Sequence, residues 1–201
     1  MLRNDAEPRA DLINPAADGA EVLVLASGGI DSTVLLAFYQ KLGRPLAALF
    51  IDYGQPAVLH ESRAVAQVSE LLSVPLCTCR WSGISQKTTG LIVGRNAFLL
   101  LAALMEAPAS TTTIAIGVHS GTPYGDCSSS FIDQMQSVLA NYSSRIAIAA
   151  PFVEWSKADV YAFGREVRAP LEITHSCEAG GVTPCGLCAS CLDRESLHAC
   201  T

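Results

Sequence analysis

Apolar residues fall along this chain in short blocks of two kinds, and their alternation sets the expected architecture. Val22-Leu23-Val24-Leu25-Ala26 is continuously apolar, the pattern of a strand covered on both faces. Thr33 to Tyr39 suits the start of a helix, read over 34–42 and closed by Gly43. "PLAALFIDY" (45–53) predicts a second buried strand, "VPLCTC" (74–79) a short third, "STTTIAIGVHSG" (110–121) a fourth, and "RIAIAAPF" a last one leading to Pro151. Helical spacing returns over 60–74, 94–107, 128–142 and 156–167, the last started by Ser156. Residues 80–93 show no periodicity and read as a loop, and beyond Pro170 the chain becomes short, cysteine-rich and irregular.

Strand-helix alternation at this spacing predicts an α/β fold built on a doubly wound, mostly parallel sheet. The expected division is a polar tail over 1–20, a nucleotide-type domain over 21–170 and a cysteine-rich segment over 171–201. Ligands of such sheets sit at the C-terminal strand ends. The tips that matter are therefore Ser27 to Ser32, Asp52 to Gln55, and Gly117 to Cys127.

The first tip is the most informative. Ser27-Gly28-Gly29-Ile30-Asp31-Ser32 joins a buried strand to a helix through residues small enough for backbone to approach a ligand. A strand, a Gly/Ser turn and a helix N-terminus converge free N–H groups and positive helix potential on one point, an anion site suited to phosphate. A plain tight turn, with Asp31 and Ser32 only as caps, is the competing reading. The stretch is neither a Walker A loop nor a Gly-x-Gly-x-x-Gly fingerprint.

Four of the eight cysteines fall in "SCEAGGVTPCGLCASC", spaced Cys177-x7-Cys185-x2-Cys188-x2-Cys191. Four thiolates in a compact Gly-containing loop can close a tetrahedral shell around Zn2+, and they equally suit an iron–sulfur cluster. Cys200 reads as a bystander. Cys77 and Cys79 would share one face of a strand, with core packing expected of one or both, whereas Cys127 sits in a strand-end loop where it can face a site.

Composition narrows the partners. The chain has 201 residues, half of them hydrophobic and 16% charged, enough for one well-cored domain. A net charge of −6, from 13 Lys+Arg against 19 Asp+Glu, disfavours nucleic acid and favours a small molecule. No apolar run has membrane-span length, and the polar N-terminus lacks an apolar signal core, so a cytoplasmic protein is expected.

The Ser-Gly-Gly-Ile-Asp-Ser loop resembles that of the PP-loop ATP pyrophosphatases, which bind ATP and release pyrophosphate while adenylating a substrate. Adding "FIDYGQ" followed by "HES", "VGRN" opening a helix, "IGV…YGDC…F", "PFVEWSKADV" and "SC…PCGLCASCLDR", the chain from about Glu21 to Arg194 resembles the 7-cyano-7-deazaguanine synthase (QueC) family. The resemblance implies an adenine nucleotide alpha hydrolase-like fold, ATP with Mg2+, zinc on Cys177, Cys185, Cys188 and Cys191, and a homodimer. It also implies an ATP-dependent carbon–nitrogen ligase that activates the carboxylate of 7-carboxy-7-deazaguanine. Ammonia then gives the amide, and a second activation gives the nitrile.

On the same resemblance, Ser27, Gly28, Gly29, Ile30, Asp31 and Ser32 hold the pyrophosphate end of ATP, while Asp52, Tyr53, Gly54 and Gly117 lie about its adenosine. Arg95 and Asn96 match the family's Arg-Asn pair, Arg95 being suited to a phosphate or carboxylate, or else to a structural ion pair. Asp126 matches an aspartate near the deazaguanine, where a carboxylate can accept from a guanine-like N–H edge; capping the next helix is its other reading. Lys157 matches a family lysine suited to the leaving pyrophosphate, against a solvated helix face. Arg194 reads as structural.

The departures cluster in the substrate-facing loops. Where the family has a stretch close to "DYSGYPDCR", this chain has "SGTPYGDCS", so the first aspartate is missing and Ser128 replaces an arginine; His175 replaces an aromatic. Two alternatives follow. One is a QueC-like enzyme of a bacterial antiviral system that joins the deazaguanine to a protein amine, with His175 as a base. The other is a PP-loop sulfur-transfer enzyme acting on nucleic acid. A zinc-stabilised module that binds nucleotide without reaction is the non-enzyme reading.

Overall fold

The structure, a computed structural model, describes residues 21–82 and 92–199, so the expected tail over 1–20, most of the 80–93 loop and Cys200 lie outside the described residues. Five strands, β1 (Glu21–Leu25), β2 (Leu46–Asp52), β3 (Leu76–Arg80), β4 (Thr111–Ala115) and β5 (Ala147–Ala149), form one parallel sheet in the order β3-β2-β1-β4-β5. Among the described residues six α-helices connect and flank them: α1 (Ile30–Lys41), α2 (Val58–Leu71), α3 (Arg95–Glu106), α4 (Ser129–Ala140), α5 (Lys157–Glu166) and α6 (Ala189–Ala199). No helix among the described residues is long and apolar enough to cross a membrane.

The continuous apolar run of β1 has the reason anticipated for it. Val24 lies in register with Ala48 on one side and Ala115 on the other, so β1 is the central strand. Val22, Val24 and Ala26 pack with α1, α2 and α5 on one face, whereas Leu23 and Leu25 pack with α3 and α4 on the other. Right-handed crossovers demand this split. The chain winds outward from β1 to β3, returns through α3 across the opposite face, and continues from β4 to β5. The winding direction reverses between β1 and β4, and ligand crevices open at such a point.

Three elements differ from the sequence expectation. Helix α1 begins at Ile30, with Gly29 as its N-cap and no side-chain cap, so Asp31 and Ser32 are first-turn residues and not caps. Strand β4 stops at Ala115, well short of residue 121, because a backbone past that point leaves the sheet to reach the site. Cys79, half-buried, packs against the core as expected of one of the pair, whereas Cys77 is exposed because β3 is an edge strand. The stretch after Cys188 is not irregular but forms α6. Its periodicity is hidden because two of its faces serve different tasks. Leu197 enters the core, while Arg194 donates to the carbonyls of Thr174 (2.8 Å) and Leu171 (3.3 Å) and to the Thr174 hydroxyl.

Candidate active site

The chain leaves β1 through a left-handed turn at Gly28 (φ +76°), where a Cβ would stand 2.7 Å from the Glu61 carbonyl oxygen, so only glycine fits between β1 and α2. The loop is closed by its own serines. The Ser27 amide donates to Ser32 Oγ (3.2 Å), the Gly29 amide to Ser27 Oγ (3.3 Å), and Ser32 Oγ donates back to the Gly29 carbonyl (3.2 Å). This leaves a preformed cradle at the N-terminus of the twelve-residue α1. Gly117, just past β4, runs against it so closely that a Cβ would meet the Asp31 carbonyl group at 3.0–3.1 Å.

Asp31 and Lys157, 126 positions apart, form an ion pair of 2.6 Å beside this cradle, with His119 Nε2 3.9 Å from the same carboxylate oxygen. Lys157 is held there as the first residue of α5, whose start is fixed by a capping box between Ser156 and Asp159. Asp31 Oδ1 is buried and has no hydrogen-bond partner. A solvated helix face is thereby excluded for Lys157.

A cleft of about 390 Å³ runs from this pair over the loop to the tip of β2 and the start of α3. Ser27, Gly29, Ile30, Asp31, Ser32, Tyr53, Arg95, Asn96, Gly117 and Lys157 all line it. Gly28 supports it from behind. Asp52 turns away from the cleft: Oδ1 accepts from the Gly54 amide (3.0 Å) and Oδ2 from Arg80 Nε (2.7 Å). Burial works to raise its pKa, but the hydrogen bonds and charge of Arg80, with the Gly54 amide, win and hold the carboxyl below its usual range.

Asp126 is also outside the lining. Its backbone carbonyl accepts from Asn96 Nδ2 (2.9 Å), which also approaches Cys127 Sγ (3.7 Å), so buried Asn96 ties the 120s loop to α3. Nor does Asp126 cap α4; Ser128 does, its hydroxyl accepting from the Phe131 amide. Cys127 faces the cleft as anticipated, with its thiol pKa pushed up by burial.

Several lining residues had no assigned role: Gln55, Glu61, His119, Glu178, Ser190 and Asp193. The signal for two of them stood in "YGQ" and "HES", which sequence spacing alone does not bring together. Gln55 Nε2 donates to Glu61 Oε2 (2.8 Å) and to the Ile51 carbonyl, while its Oε1 accepts from the Tyr53 amide. Burial, the main cause, raises the Glu61 pKa, against the Gln55 hydrogen bond and the Arg95 charge. Glu178 adds to the upward push.

The cysteine loop forms part of the cleft wall. The Sγ atoms of Cys177, Cys185, Cys188 and Cys191 all lie within 4.8 Å of one another. Tetrahedral Zn–S bonds of about 2.3 Å require S–S separations of about 3.8 Å, which this cluster approaches, with Cys185 and Cys191 at 4.0 Å. The Cys185 amide donates to Cys177 Sγ (3.3 Å) and the Cys188 amide to Cys185 Sγ (3.4 Å); backbone N–H groups of Leu187 and Cys188 pull the Cys185 thiol pKa down to about 6, while burial pushes that of Cys191 up to about 12.

From this loop the His175 amide donates to the Gly28 carbonyl (2.9 Å), and the His175 ring stacks on His60 at 4.9 Å. Its Nε2 donates to the Cys177 carbonyl (2.8 Å), and burial lowers its pKa against that hydrogen bond. Gly180 (φ +68°) presses on Pro56, where a Cβ would come within 2.0 Å of the carbonyl oxygen. A Gly180→Ala protein is therefore expected to lose about 2–4 kcal/mol, read as a lower urea midpoint at unchanged m-value.

The family model described as queuosine biosynthesis protein QueC matches residues 21–89 and 84–199. Among curated relatives, the 7-cyano-7-deazaguanine synthase of Sulfurihydrogenibium sp. is 32% identical over 204 residues, covering 87% of this chain and 92% of the relative. The 7-cyano-7-deazaguanine synthase 1 of Mesorhizobium japonicum is 33% identical over 205 residues, covering 86% of each. Among solved structures, NMN synthetase from Francisella tularensis matches with a TM-score of 0.54 at 20% identity, covering 83% of this chain and 68% of that one. A predicted subunit of tRNA methyltransferase from Methanocaldococcus jannaschii gives the same TM-score at 17% identity, covering 73% and 76%. These two likenesses concern the fold.

Proposed function

The chain belongs to the QueC family, and we propose from this premise that it uses ATP to adenylate the carboxylate of 7-carboxy-7-deazaguanine and passes the acyl group to an amine. The observation that carries the reading is that one cleft joins the serine-closed loop, the Asp31–Lys157 pair at one end and Arg95 at the other. A carboxylate is a poor electrophile, and its activation is chiefly a matter of positioning and charge neutralisation.

ATP lies with its phosphates on Ser27 to Ser32. The substrate carboxylate oxygen bonds to the α-phosphorus as the bond to the β-phosphate oxygen breaks. Lys157 stabilises the charge gathering on the departing pyrophosphate, and Arg95 brings the substrate carboxylate into line. The amine then attacks the acyl carbon, its proton is lost, and AMP leaves with the electron pair of the broken acyl–oxygen bond of the mixed anhydride. A second ATP adenylates the amide oxygen with loss of pyrophosphate, and departure of AMP with that oxygen, together with loss of the two N–H protons, leaves the nitrile. The buried, unpartnered Asp31 Oδ1 fits a ligand position for Mg2+, which supplies charge neutralisation to the triphosphate. The four thiolates fit Zn2+ as a structural ion.

One observation bears on how the acid is held, on which acid it is, and on its acceptor. Ser128, in place of the family's arginine, is spent capping α4, so that position supplies no cation to hold the acid. Incubation with ATP and 7-carboxy-7-deazaguanine, with and without ammonium, tests both readings by pyrophosphate release and product mass. A nitrile product is expected. Pyrophosphate release that stops at adenylate or amide would direct attention to a protein amine, and ATP binding without release would overturn the substrate assignment.

A further inference from the structure

We propose that Glu61, fixed by Gln55, is the carboxylate that reads the N–H edge of the substrate's aminopyrimidinone ring and so determines specificity for a guanine-like acid. This rests on the adenylation reading above and moves the edge-reading role away from Asp126, which does not line the cleft.

The cleft has two ends. Asp31, His119 and Lys157 occupy the end formed by β4 and α5, beside the phosphate loop. Tyr53, Glu61, Arg95 and Glu178 line the other, formed by β2, α2, α3 and the cysteine loop. With the triphosphate at the first end, the acid occupies the second. A planar heterocycle needs an aromatic or apolar wall there, and Tyr53, which the resemblance set beside the adenosine, supplies it to the acid instead. Its ring is braced at 6.0 Å by Phe98, which meets Trp81 at 5.5 Å. Ammonia alone would need no such wall.

The polar groups complement the same ring. A guanine-like edge presents a ring N–H beside an exocyclic amine, two parallel donors that one carboxylate can accept together. Gln55 donates to one Glu61 oxygen and is itself locked by the Ile51 carbonyl and the Tyr53 amide, so the carboxylate is preorganised. A carboxylate held in a part-buried site is costly unless a ligand donates to it, which is the condition that makes such a group selective. Arg95, at the start of α3, lies near enough to influence both Glu61 and the Tyr53 hydroxyl, and can neutralise the acid's own carboxylate.

The test compares pyrophosphate release with 7-carboxy-7-deazaguanine and with its analogue lacking the exocyclic amine, in the full-length protein and in Glu61→Gln. The unaltered protein should prefer the amino compound about 10- to 100-fold in kcat/KM. Glu61→Gln should lose that preference through a higher KM for the amino compound, with a smaller rise for the analogue, which keeps only the ring N–H, and with the ATP dissociation constant unchanged. Equal use of both acids by the unaltered protein would overturn the inference without any variant, while leaving adenylation intact. Retained preference in Glu61→Gln, or an equal loss with both acids, would overturn it too. If neither acid elicits pyrophosphate although ATP binds, the adenylation reading falls and the inference with it.

Discussion

Replacing Lys157 with alanine should lower pyrophosphate formation about 10²- to 10³-fold at saturating ATP, while ATP binding weakens by less than about tenfold. The asymmetry follows from where the ammonium stands. It is anchored 2.6 Å from Asp31 at the mouth of the phosphate loop, and both side chains are mostly buried. Charge on the bridging and terminal oxygens grows as pyrophosphate departs, so a fixed cation there stabilises the transition state more than bound ATP. Removing it also strands Asp31, at a stability cost on the order of 1–2 kcal/mol. Saturating ATP and a thermal unfolding control separate that cost from the chemistry. Lys157→Arg keeps the charge but not the compact ammonium geometry and should recover part of the rate. A loss that appeared only in the KM for ATP would assign Lys157 to ground-state binding.

On the proposal that the four cysteines hold one zinc per chain, replacing Cys188 with serine should lower the zinc content to none and abolish pyrophosphate release. Four thiolates converge within 4.8 Å, and the binding free energy of a structural zinc is folding free energy for the loop that carries it. That loop is not remote from the chemistry. Ser176, Glu178, Ser190 and Asp193 line the cleft, and the His175 amide braces the Gly28 carbonyl at the back of the phosphate loop. Metal analysis, together with proteolytic sensitivity over 175–199, reads the effect. Full activity in a metal-free protein would show that the protein contacts alone hold this wall.

The strand–turn–helix of residues 22–39 was legible because each of its constraints is local. An apolar run on a central strand, small residues in the turn and a helix start follow from neighbouring residues. The four-cysteine spacing was legible for the same reason, since short x2 spacings force sulfurs together. The bounds of β4 and the existence of α6 were not. Ile116 and Val118 are as apolar as the strand before them, yet they belong to the tip that carries Gly117 against Asp31. The periodicity of α6 is split between the cysteine cluster, the cleft and the core.

By itself, the sequence determined the parallel α/β layering, the phosphate loop and the thiolate cluster, and its motifs identified the family. Only the tertiary structure decided which charged groups meet. It brought Lys157 to Asp31, set Gln55 to orient Glu61, turned Asp52 toward Arg80 and kept Asp126 out of the cleft. The physical reason is range. Backbone preference and hydrophobic burial act through adjacent residues and leave a periodic trace, whereas an ion pair spanning 126 positions leaves none until the sheet order brings its partners together.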